Sequence, residues 1–447
     1  MTGVASAPAE RLGIRLRPVG PGVDPTVLLG LALRRNPRRA QLLVSRVLGK
    51  HVPADPRLVR VAGLLLGGLV SDALSGRPAR ALPAQTLHAA VRGDRAAAAA
   101  LHTDAEQAVA PASDALVIGF AETATALGHC VAEGLGGAMY LHSTRRPVPG
   151  FAVAGGFTEE HSHAIDHLLL PADPALLRDG RALVLVDDEL STGRTALNTI
   201  TALHRTAPRE RYVVAALVDV RPPGSDLVDA VAALGARLDV VALARAAIEL
   251  PVDLAERAAA LRADIGDGPT PRTAPDGPAS RVALGELGWP VGLPVGARHG
   301  VGPDDHRRLE AALPHVAGGL ARAVGLDTAE RTLVLGTEEL MHLPLRLAQT
   351  LADAGHDVAF SSTTRSPAVV IASPGYALTS GIAFPAHDDP ADGPGPRFAY
   401  NLGGAQDPPW DHVLVVVDPP GDTPALRTGL LPALAPHARR TSVVVTP

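Results

Sequence analysis

Short apolar runs alternate with longer segments rich in alanine and leucine through the first half of the chain. Each run is short enough for a strand, and each intervening segment is long enough for a helix. This alternation predicts an α/β domain built on a largely parallel sheet with helices on its faces. Ligands bind beyond the carboxyl ends of such strands, so the residues after each run are candidates for chemistry. The runs are Gln41–Val44, Ala115–Ile118, Ala138–Leu141, Leu183–Val186 and Tyr212–Val218.

The apolar pattern is interrupted at residues 264–280, where Pro, Gly, Asp and Thr predominate. This composition predicts an exposed linker between a first domain over 23–263 and a second domain over 281–447. Residues 1–22 show no periodicity, and we expect them to form an irregular lead-in. A chain of 447 residues accommodates two such domains.

The charge balance argues for small-molecule ligands. The 41 basic and 46 acidic residues leave a formal charge of −5, which favours neither a nucleic acid nor an anionic membrane as partner. The single cysteine, Cys130, cannot form an internal disulfide, and the most apolar stretch, Val61–Val70, is too short to cross a bilayer. We therefore expect a cytoplasmic protein, and a homodimer is left open.

The most informative run is LVLVDDELSTGRT, from Leu183 to Thr195. Its aliphatic residues predict a central strand buried on both faces, and the strand stops at two adjacent acids, Asp187 and Asp188. Carboxylates that bind a ribose diol, next to a turn that binds phosphate, would fit a ribose 5-phosphate, whereas the alternative is an ordinary helix cap. The turn leads into a predicted helix and collects N–H groups and hydroxyls as a phosphate site requires. Its residues are Ser191, Thr192, Gly193, Arg194 and Thr195.

This run resembles the signature of the type I phosphoribosyltransferases, in which four apolar residues precede two acids and a loop of small residues. The resemblance implies that Asp187 and Asp188 hold the ribose hydroxyls of phosphoribosyl pyrophosphate and that the loop binds the 5′-phosphate. Glu189 departs from the family pattern, which has an aliphatic residue there. Ser191 stands where purine-salvage enzymes have a catalytic aspartate, so the site is nearer to the orotate type. The implied reaction is Mg²⁺-dependent transfer of ribose 5-phosphate to an unidentified nitrogenous acceptor.

Two other loops fit the same donor. The loop after Ala115–Ile118 resembles the pyrophosphate-binding loop of that family, although a glycine after a strand is also an ordinary structural feature. Arg145, after the run Ala138–Leu141, would offer charge-assisted hydrogen bonds to the pyrophosphate. Lys50 is the only lysine and is a candidate for contacting substrate or phosphate, with an ordinary turn as the alternative. The pyrophosphate-loop candidates are Ala121, Glu122 and Thr123.

The segment around the run EEHSH is expected to form a mobile lid over the pyrophosphate, as in the family it resembles. His161 in this run joins Asp187, Asp188 and Arg145 as a catalytic candidate. Two alternatives stay open: a plain solvated loop, or a transition-metal site formed by His161, His163 and His167. Mg²⁺ itself would be held mainly by substrate oxygens.

The second half repeats the order of features seen in the first. Leu333–Leu335 leads to Glu338 and Glu339, a later run leads to Arg365, and Val413–Val417 ends at an acid. We therefore predict a second α/β domain that is a diverged copy of the first, with generic βαβ repetition as the alternative. Glu338, Glu339 and Arg365 form a candidate second polar site.

The tetrapeptide Thr364-Arg365-Ser366-Pro367 makes the whole chain resemble a family of bacterial two-domain proteins. In that family, associated with tellurium-resistance and stress gene clusters, a phosphoribosyltransferase domain is followed by a TRSP domain. The resemblance implies a nucleotide-like biosynthetic step. Two other functions stay open: a non-catalytic sensor of phosphoribosyl pyrophosphate whose second domain binds a partner, and a hydrolase or ligase that uses Glu338 and Glu339 as acid and base.

Overall fold

The computed structural model of the chain describes residues 11–35, 40–158, 167–265, 279–388, 395–403 and 407–447. Of the predicted linker, residues 266–278 lie outside the described residues. The strands are β1 (Arg15–Pro18), β2 (Leu29–Arg34), β3 (Gln41–Ser45), β4 (Leu116–Gly119), β5 (Met139–His142), β6 (Gly155–Phe157), β7 (His167–Leu169), β8 (Leu183–Leu190), β9 (Arg211–Asp219), β10 (Arg237–Glu249), β11 (Ser280–Ala283), β12 (Thr332–Gly336), β13 (Val358–Ser362), β14 (Ala368–Val369), β15 (Gly381–Phe384), β16 (Arg397–Tyr400), β17 (Trp410–Val417) and β18 (Ala438–Val445). The helices are α1 (Pro25–Leu28), α2 (Pro56–Leu74), α3 (Ala84–Val91), α4 (Arg95–Gln107), α5 (Thr125–Gly134), α6 (Arg194–Thr206), α7 (Leu227–Ala232), α8 (Leu254–Ile265), α9 (Pro303–Ala323), α10 (His342–Asp353), α11 (Pro424–Thr428) and α12 (Leu430–Leu434).

Five parallel strands form the centre of the first sheet in the order β5-β4-β8-β9-β10, and β1 adds to β10 as an antiparallel edge. Alternate residues of β8 enter two different cores. Val184 and Val186 face the cluster that contains α2 and α5, whereas Leu183 and Leu185 face the cluster that contains α6 and α7. Burial on both faces is the physical reason that this strand is an unbroken aliphatic run.

The strand order places a ligand crevice beyond β4 and β8. Along the chain, the central strands follow the order 2-1-3-4-5, so the winding direction reverses between these two neighbours. In open parallel sheets, ligands bind at the carboxyl ends of the strands at this reversal. The residues after β4 and those at the end of β8 are therefore brought to one place by topology alone.

Two expectations about the first domain were wrong. The run Gln41–Val44 is a strand, but β3 belongs to a separate antiparallel sheet, β14-β2-β3, because it pairs with the adjacent β2. The lead-in is not irregular throughout, because Arg15–Pro18 form the edge strand β1 on β10. The apolar pattern also did not predict β10, which pairs with β9 over Arg237–Arg245.

The second domain has an all-parallel sheet in the order β13-β12-β17-β18-β11. Its first four strands repeat the first sheet, with β12 in the place of β4 and β17 in the place of β8. The fifth position differs, because β11 precedes β12 in the chain whereas β10 follows β9. This strand order agrees with the hypothesis of a diverged copy.

The loops that follow equivalent strands also share their hydrogen bonds. In the first half, the N–H of Ser143 donates to Gly119 O at 2.9 Å, and the N–H of Ala121 donates to Ser143 Oγ at 2.9 Å. In the second half, the N–H of Thr363 donates to Gly336 O at 2.9 Å, and the N–H of Glu338 donates to Thr363 Oγ1 at 3.1 Å. The equivalent pairs are therefore Gly119 with Gly336, Ala121 with Glu338, and Ser143 with Thr363.

The same equivalence continues into the two arginine-containing loops. The N–H of Arg146 donates to Thr144 Oγ1 at 3.0 Å, and the N–H of Ser366 donates to Thr364 Oγ1 at 3.1 Å. Arg145 is thus equivalent to Arg365, whereas Arg146 has a serine, Ser366, as its equivalent.

The two halves are interlocked through the outer strands of their sheets. In β5 of the first half, Tyr140 forms an antiparallel bridge with Val301 of the second half. In β13 of the second half, Phe360 forms the same bridge with Ala54 of the first half. Val301 and Ala54 each stand two positions before the proline that begins a long helix, α9 and α2 respectively. Each half therefore covers the exposed edge of the other, and the contact is reciprocal.

Helices α2 and α5 approach each other too closely for side chains at their crossing. A Cβ added to Gly67 would lie 2.6 Å from Val131 O and 2.9 Å from Gly134 Cα. We expect Gly67→Ala to lower the free energy of unfolding by about 1–3 kcal/mol, because backbone atoms cannot move aside cheaply. Gly318→Ala in α9 is the control, since its Cβ would meet only Arg322 Nη1 at 3.5 Å. Chemical denaturation of both variants checks this, and equal effects would contradict it.

Candidate active site

The acidic residues lie inside β8 rather than after it, because the strand continues to Leu190 along β9. Asp187, Asp188 and Glu189 are half-buried beyond the point where β4 stops pairing. The N–H of Asp188 donates to Asp187 Oδ1 at 2.9 Å. Burial and the adjacent Asp188 carboxylate raise the pKa of Asp187 well above its ordinary value. The ionised form of Asp187 is therefore unfavourable beside its acidic neighbour.

The turn after β8 opens directly into α6, which begins at Arg194. Gly193 caps the helix in the left-handed region, with φ of +82°, and a Cβ there would lie 2.9 Å from Leu227 Cδ2. Only glycine meets both conditions without strain. Backbone N–H groups at the start of α6 point toward the turn, which is the arrangement that binds phosphate.

The turn after β4 is tied to the neighbouring loop. Ser143 Oγ accepts from the N–H of Ala121 at 2.9 Å and contacts His167 Nδ1 at 2.8 Å. His167, in β7, stacks on Phe157 with ring centroids 4.7 Å apart. The backbone at Ala121 is thus held by a buried chain of polar and aromatic contacts. Glu122 on the same turn pairs with Arg365 of the second half, with Oε1 and Nε 2.9 Å apart.

A cavity of about 340 Å³ joins these elements. It brings together most of the predicted site residues and one arginine from the second half. Four basic and four acidic side chains line it, which suits a ligand that carries both anionic groups and hydroxyls. The predicted residues on its wall are Lys50, Ala121, Glu122, Thr123, Arg145, Asp187, Asp188, Ser191, Thr192, Gly193, Thr195 and Arg365.

Two of the residues predicted for the donor site are not placed on this wall. Arg194 is exposed at the first turn of α6 and does not line the cavity. His161 lies outside the described residues, together with the rest of the EEHSH run, which includes His163. The lid and metal hypotheses for that run therefore stay predictions.

Several lining residues were missed by the sequence reasoning. Arg34 and Leu43 come from β2 and β3, His51 neighbours Lys50, and Ser366 neighbours Arg365. Their only signal was proximity to residues already singled out. A second cavity of about 350 Å³ shares Arg34, Leu43 and Ser191 with the first and continues toward apolar residues after β9 and β10.

Of the three residues proposed as a second polar site, Arg365 lines the first-half cavity, whereas Glu338 and Glu339 are buried in ion pairs. Glu338 is 2% exposed and pairs with Arg365 and Arg397. Glu339 is 5% exposed; its carboxylate accepts from Arg298 at 2.9 Å and from the N–H of Arg145 at 3.1 Å. The Arg298 guanidinium and other nearby cations offset burial and lower the pKa of Glu339 to about 2. Glu339 thereby links the two halves, and Glu338 holds Arg365, which itself contacts Glu122 of the first half.

The place in the second half that corresponds to the cavity is closed. Arg146 reaches from the first half to pair with Asp388 and also lies 3.8 Å from Asp418, the acid that ends β17. The space left there is about 10 Å³, too small for a ribose phosphate. Only the first-half site is open among the residues that the structure describes.

A buried histidine cluster lies between the halves, away from the cavity. Ligand atoms of His129, Glu133 and His306 lie within 4.8 Å of one another, and the His129 and His342 rings stack at 3.4 Å. Within the described residues this is a candidate metal centre by residue type. However, the Glu133 carboxylate already accepts from Arg60, Arg346 and His342, each at 2.9 Å. Two guanidinium groups on the same carboxylate would repel a cation, so we assign the cluster to interdomain packing.

Two buried histidines, His342 of this cluster and His142 at the end of β5, predict that the fold is less stable in acid. Burial lowers the pKa of His142 and of His342 to about 4, below the ordinary value of 6.5 that the unfolded chain would show. As the pH falls through 6.5, the unfolded state binds protons first, so stability is lost between pH 6.5 and 4. We expect each histidine to cost about 2 kcal/mol at pH 5. Chemical denaturation at pH 7.5 and 5 checks this, with the exposed His88→Gln variant as control against His342→Gln. Equal stability at both pH values would contradict it.

Comparison with known families now decides the assignment. Residues 28–247 match the family model described as "Phosphoribosyl transferase", and residues 295–434 match the model described as "TRSP domain C terminus to PRTase_2". The chain belongs to the phosphoribosyltransferases with a C-terminal TRSP domain. The phosphoribosyltransferase domain holds the cavity, and the TRSP domain contributes Arg365 to it. The resemblance stated from Leu183–Thr195 and from the tetrapeptide is confirmed.

Solved structures overlap this phosphoribosyltransferase only in part. Adenine phosphoribosyltransferase from Rhodothermus marinus is 16% identical over 48% of this chain and 93% of its own, with a TM-score of 0.27. Orotate phosphoribosyltransferase from Aeropyrum pernix is 20% identical over 48% and 87%, with a TM-score of 0.24. The adenine enzyme from Trypanosoma brucei is 14% identical over 31% and 59%, with a TM-score of 0.22, so the chain spans about three fifths of that protein. No curated protein matches the chain. No helix in the described ranges is long and apolar enough to cross a membrane.

Proposed function

We propose that the chain transfers ribose 5-phosphate from phosphoribosyl pyrophosphate to a nitrogenous acceptor and releases pyrophosphate, with Mg²⁺ as cofactor. The observation that supports this most strongly is the single cavity that joins the acids of β8, the turn before α6 and the turn after β4. These three features match the diol, the 5′-phosphate and the pyrophosphate of one donor.

The donor would lie across the ends of β4 and β8. Asp187 and Asp188 would accept hydrogen bonds from the two ribose hydroxyls. Ser191 to Thr195 would bind the 5′-phosphate at the start of α6. Ala121 to Thr123, together with Arg145, would bind the pyrophosphate through N–H groups and charge-assisted hydrogen bonds.

The donor set also fits Mg²⁺. Three half-buried carboxylates, those of Asp187, Asp188 and Glu189, line the cavity, and the pKa of the first is raised. Hard carboxylate oxygens next to substrate phosphates are the usual surroundings of this ion. When bound, Mg²⁺ would neutralise charge on the donor. Binding a cation here would also lower the pKa of Asp187 and favour the ionised form that accepts from the diol.

Cleavage of the bond to pyrophosphate leaves a cation-like ribose carbon, as in glycoside cleavage. The protein would hold the ribose rigidly through the carboxylates and stabilise the negative charge that grows on the leaving group through Arg145. Buried Lys50 and His51 line the same cavity and would help to exclude water.

The acceptor would enter from the second cavity, which shares Arg34, Leu43, Glu189, Ser191 and Thr192 with the first. Ser191 places a hydroxyl where purine-salvage enzymes have a carboxylate base, so we propose an orotate-type site. The acceptor would then have to reach the site with its nitrogen already nucleophilic, or lose its proton to another group. The reaction belongs to nucleotide-like metabolism on this view.

The test is to incubate the protein with phosphoribosyl pyrophosphate, Mg²⁺ and a metabolite extract, and to search for a new ribose-5-phosphate adduct by mass spectrometry. We expect an adduct together with an equal amount of released pyrophosphate. The sensor hypothesis predicts binding of the donor without pyrophosphate release from any acceptor. That second result, reproduced over a broad extract, would overturn the proposed catalysis.

A further inference from the structure

Arg365 is the point at which the TRSP domain enters the active site. Its backbone N–H donates to Glu122 Oε2 at 3.4 Å, and its Nε lies 2.9 Å from Glu122 Oε1 and 2.5 Å from Glu338 Oε2. One of these carboxylates belongs to each half of the chain. The guanidinium is therefore fixed in position at the junction, on the wall of the cavity.

The contact has a reciprocal counterpart. The N–H of Arg145, which is equivalent to Arg365, donates to Glu339, and Glu339 is equivalent to Glu122. Each half thus uses the glutamate of its own strand-end turn to hold the arginine loop of the other half. Such exchange is the contact pattern of a two-fold dimer, here built within a single chain.

Resting on the proposed function, we propose that Arg365 binds the pyrophosphate group of the donor, so that the TRSP domain is a structural part of the phosphoribosyltransferase site. Glu122 stands within the turn assigned to pyrophosphate, and its direct contact with Arg365 places the guanidinium at that end of the cavity. The 5′-phosphate end is assigned to the turn before α6, which follows β8 rather than β4.

The chemistry of the side chain suits this role. Arginine presents a planar fork of N–H donors that binds two oxygens of a phosphoryl group at once. Anchoring through Nε and the backbone limits the rotamer freedom that would otherwise be lost on binding. Arg145 and Arg365 would then bind the leaving group from the two halves of the molecule.

The neighbouring position explains why only one site is open. Ser366 lines the cavity, and its equivalent Arg146 fills the corresponding space in the second half by pairing with Asp388. A small side chain at one equivalent position leaves room for a ligand, while a long cation at the other occupies it. The two loops have therefore diverged into one that completes the active site and one that closes its copy.

Calorimetric titration of the full chain with pyrophosphate and, separately, with ribose 5-phosphate, both with Mg²⁺, tests the proposal. We expect Arg365→Gln to weaken pyrophosphate binding about 10–100-fold, because a charge-assisted bond is lost, and to change ribose 5-phosphate binding less than about twofold. Unchanged binding of pyrophosphate, or equal weakening of both ligands, would overturn it. A wild-type chain that binds neither ligand would instead overturn the proposed function.

Two further variants guard against a loss of fold. Arg365→Lys keeps a cation between Glu122 and Glu338 but removes the planar fork, so pyrophosphate should still bind about fivefold or more weakly. Arg397→Lys keeps a cation beside the same buried Glu338 but changes a residue that does not line the cavity, so it should leave both affinities within about twofold. If the two lysine variants behave alike toward pyrophosphate, Arg365 acts only through Glu338 and the proposal fails.

Discussion

Replacing Asp187 and Asp188 together by asparagine is expected to stop pyrophosphate release while leaving the fold intact. Each carboxylate would lose a charge-assisted hydrogen bond to the ribose diol, a cost of roughly 1.5–3 kcal/mol apiece. The sum corresponds to a rate lower by about 10²–10⁴-fold. The double variant should also unfold at a higher temperature than the wild type, because the raised pKa of Asp187 marks a carboxylate whose ionised form is unfavourable in the folded state.

Asp418→Asn provides the matched control for this result. Asp418 ends β17, the strand equivalent to β8, but it faces Arg146 in the closed second site. Its replacement should leave turnover unchanged. Steady-state pyrophosphate release and thermal unfolding, measured on all three proteins, check the prediction. Full activity in the double variant would remove both aspartates from the donor site.

Cutting the chain within the predicted linker is expected to leave neither half folded alone. The first half would lose the bridge between Tyr140 and Val301, and buried Glu133 would lose Arg346 and His342. Glu133 would keep only Arg60. Breaking buried ion pairs in this way costs up to about 3–5 kcal/mol, a large share of the 5–15 kcal/mol that stabilises a typical domain. Core residues of α2 and α5 that pack against α10 would also be exposed to water.

Circular dichroism and size-exclusion chromatography of each fragment, expressed separately and then together, check this expectation. The separate fragments should aggregate or unfold without cooperativity, whereas co-expression should restore a complex that binds the donor. A monomeric first half that unfolds cooperatively and binds phosphoribosyl pyrophosphate would contradict the interlocked arrangement. It would also remove the need for Arg365.

Much of the fold and of the candidate site could be predicted from local sequence. The run Leu183–Val186 is recognisable because burial on both faces forbids polar residues, and the acids follow directly along the chain. Gly193 is recognisable because the turn needs a left-handed residue. The repeat was visible because equivalent loops keep their hydroxyl residues, and Ser143 and Thr363 accept the same backbone hydrogen bonds.

Features that depend on distant contacts could not be predicted. The sequence predicts Arg365 in a separate site in the second half. In the fold it lies beside Glu122 of the first half, a residue that is distant in the chain. Glu338 and Glu339 read as an acid and base pair, but their partners Arg397 and Arg298 come from segments with no shared motif. Strand β3 was predicted to belong to the parallel sheet. An apolar run does not show which strand it pairs with or in which direction, and β3 pairs antiparallel with β2.

The most direct test of the whole account is the number of donor molecules that one chain binds. Calorimetric titration with phosphoribosyl pyrophosphate and Mg²⁺ should give one site per chain, because the first-half cavity is open and Arg146 fills its copy. The Asp187→Asn, Asp188→Asn double variant should remove that site. Two sites per chain, or one site that survives in the double variant, would contradict the account.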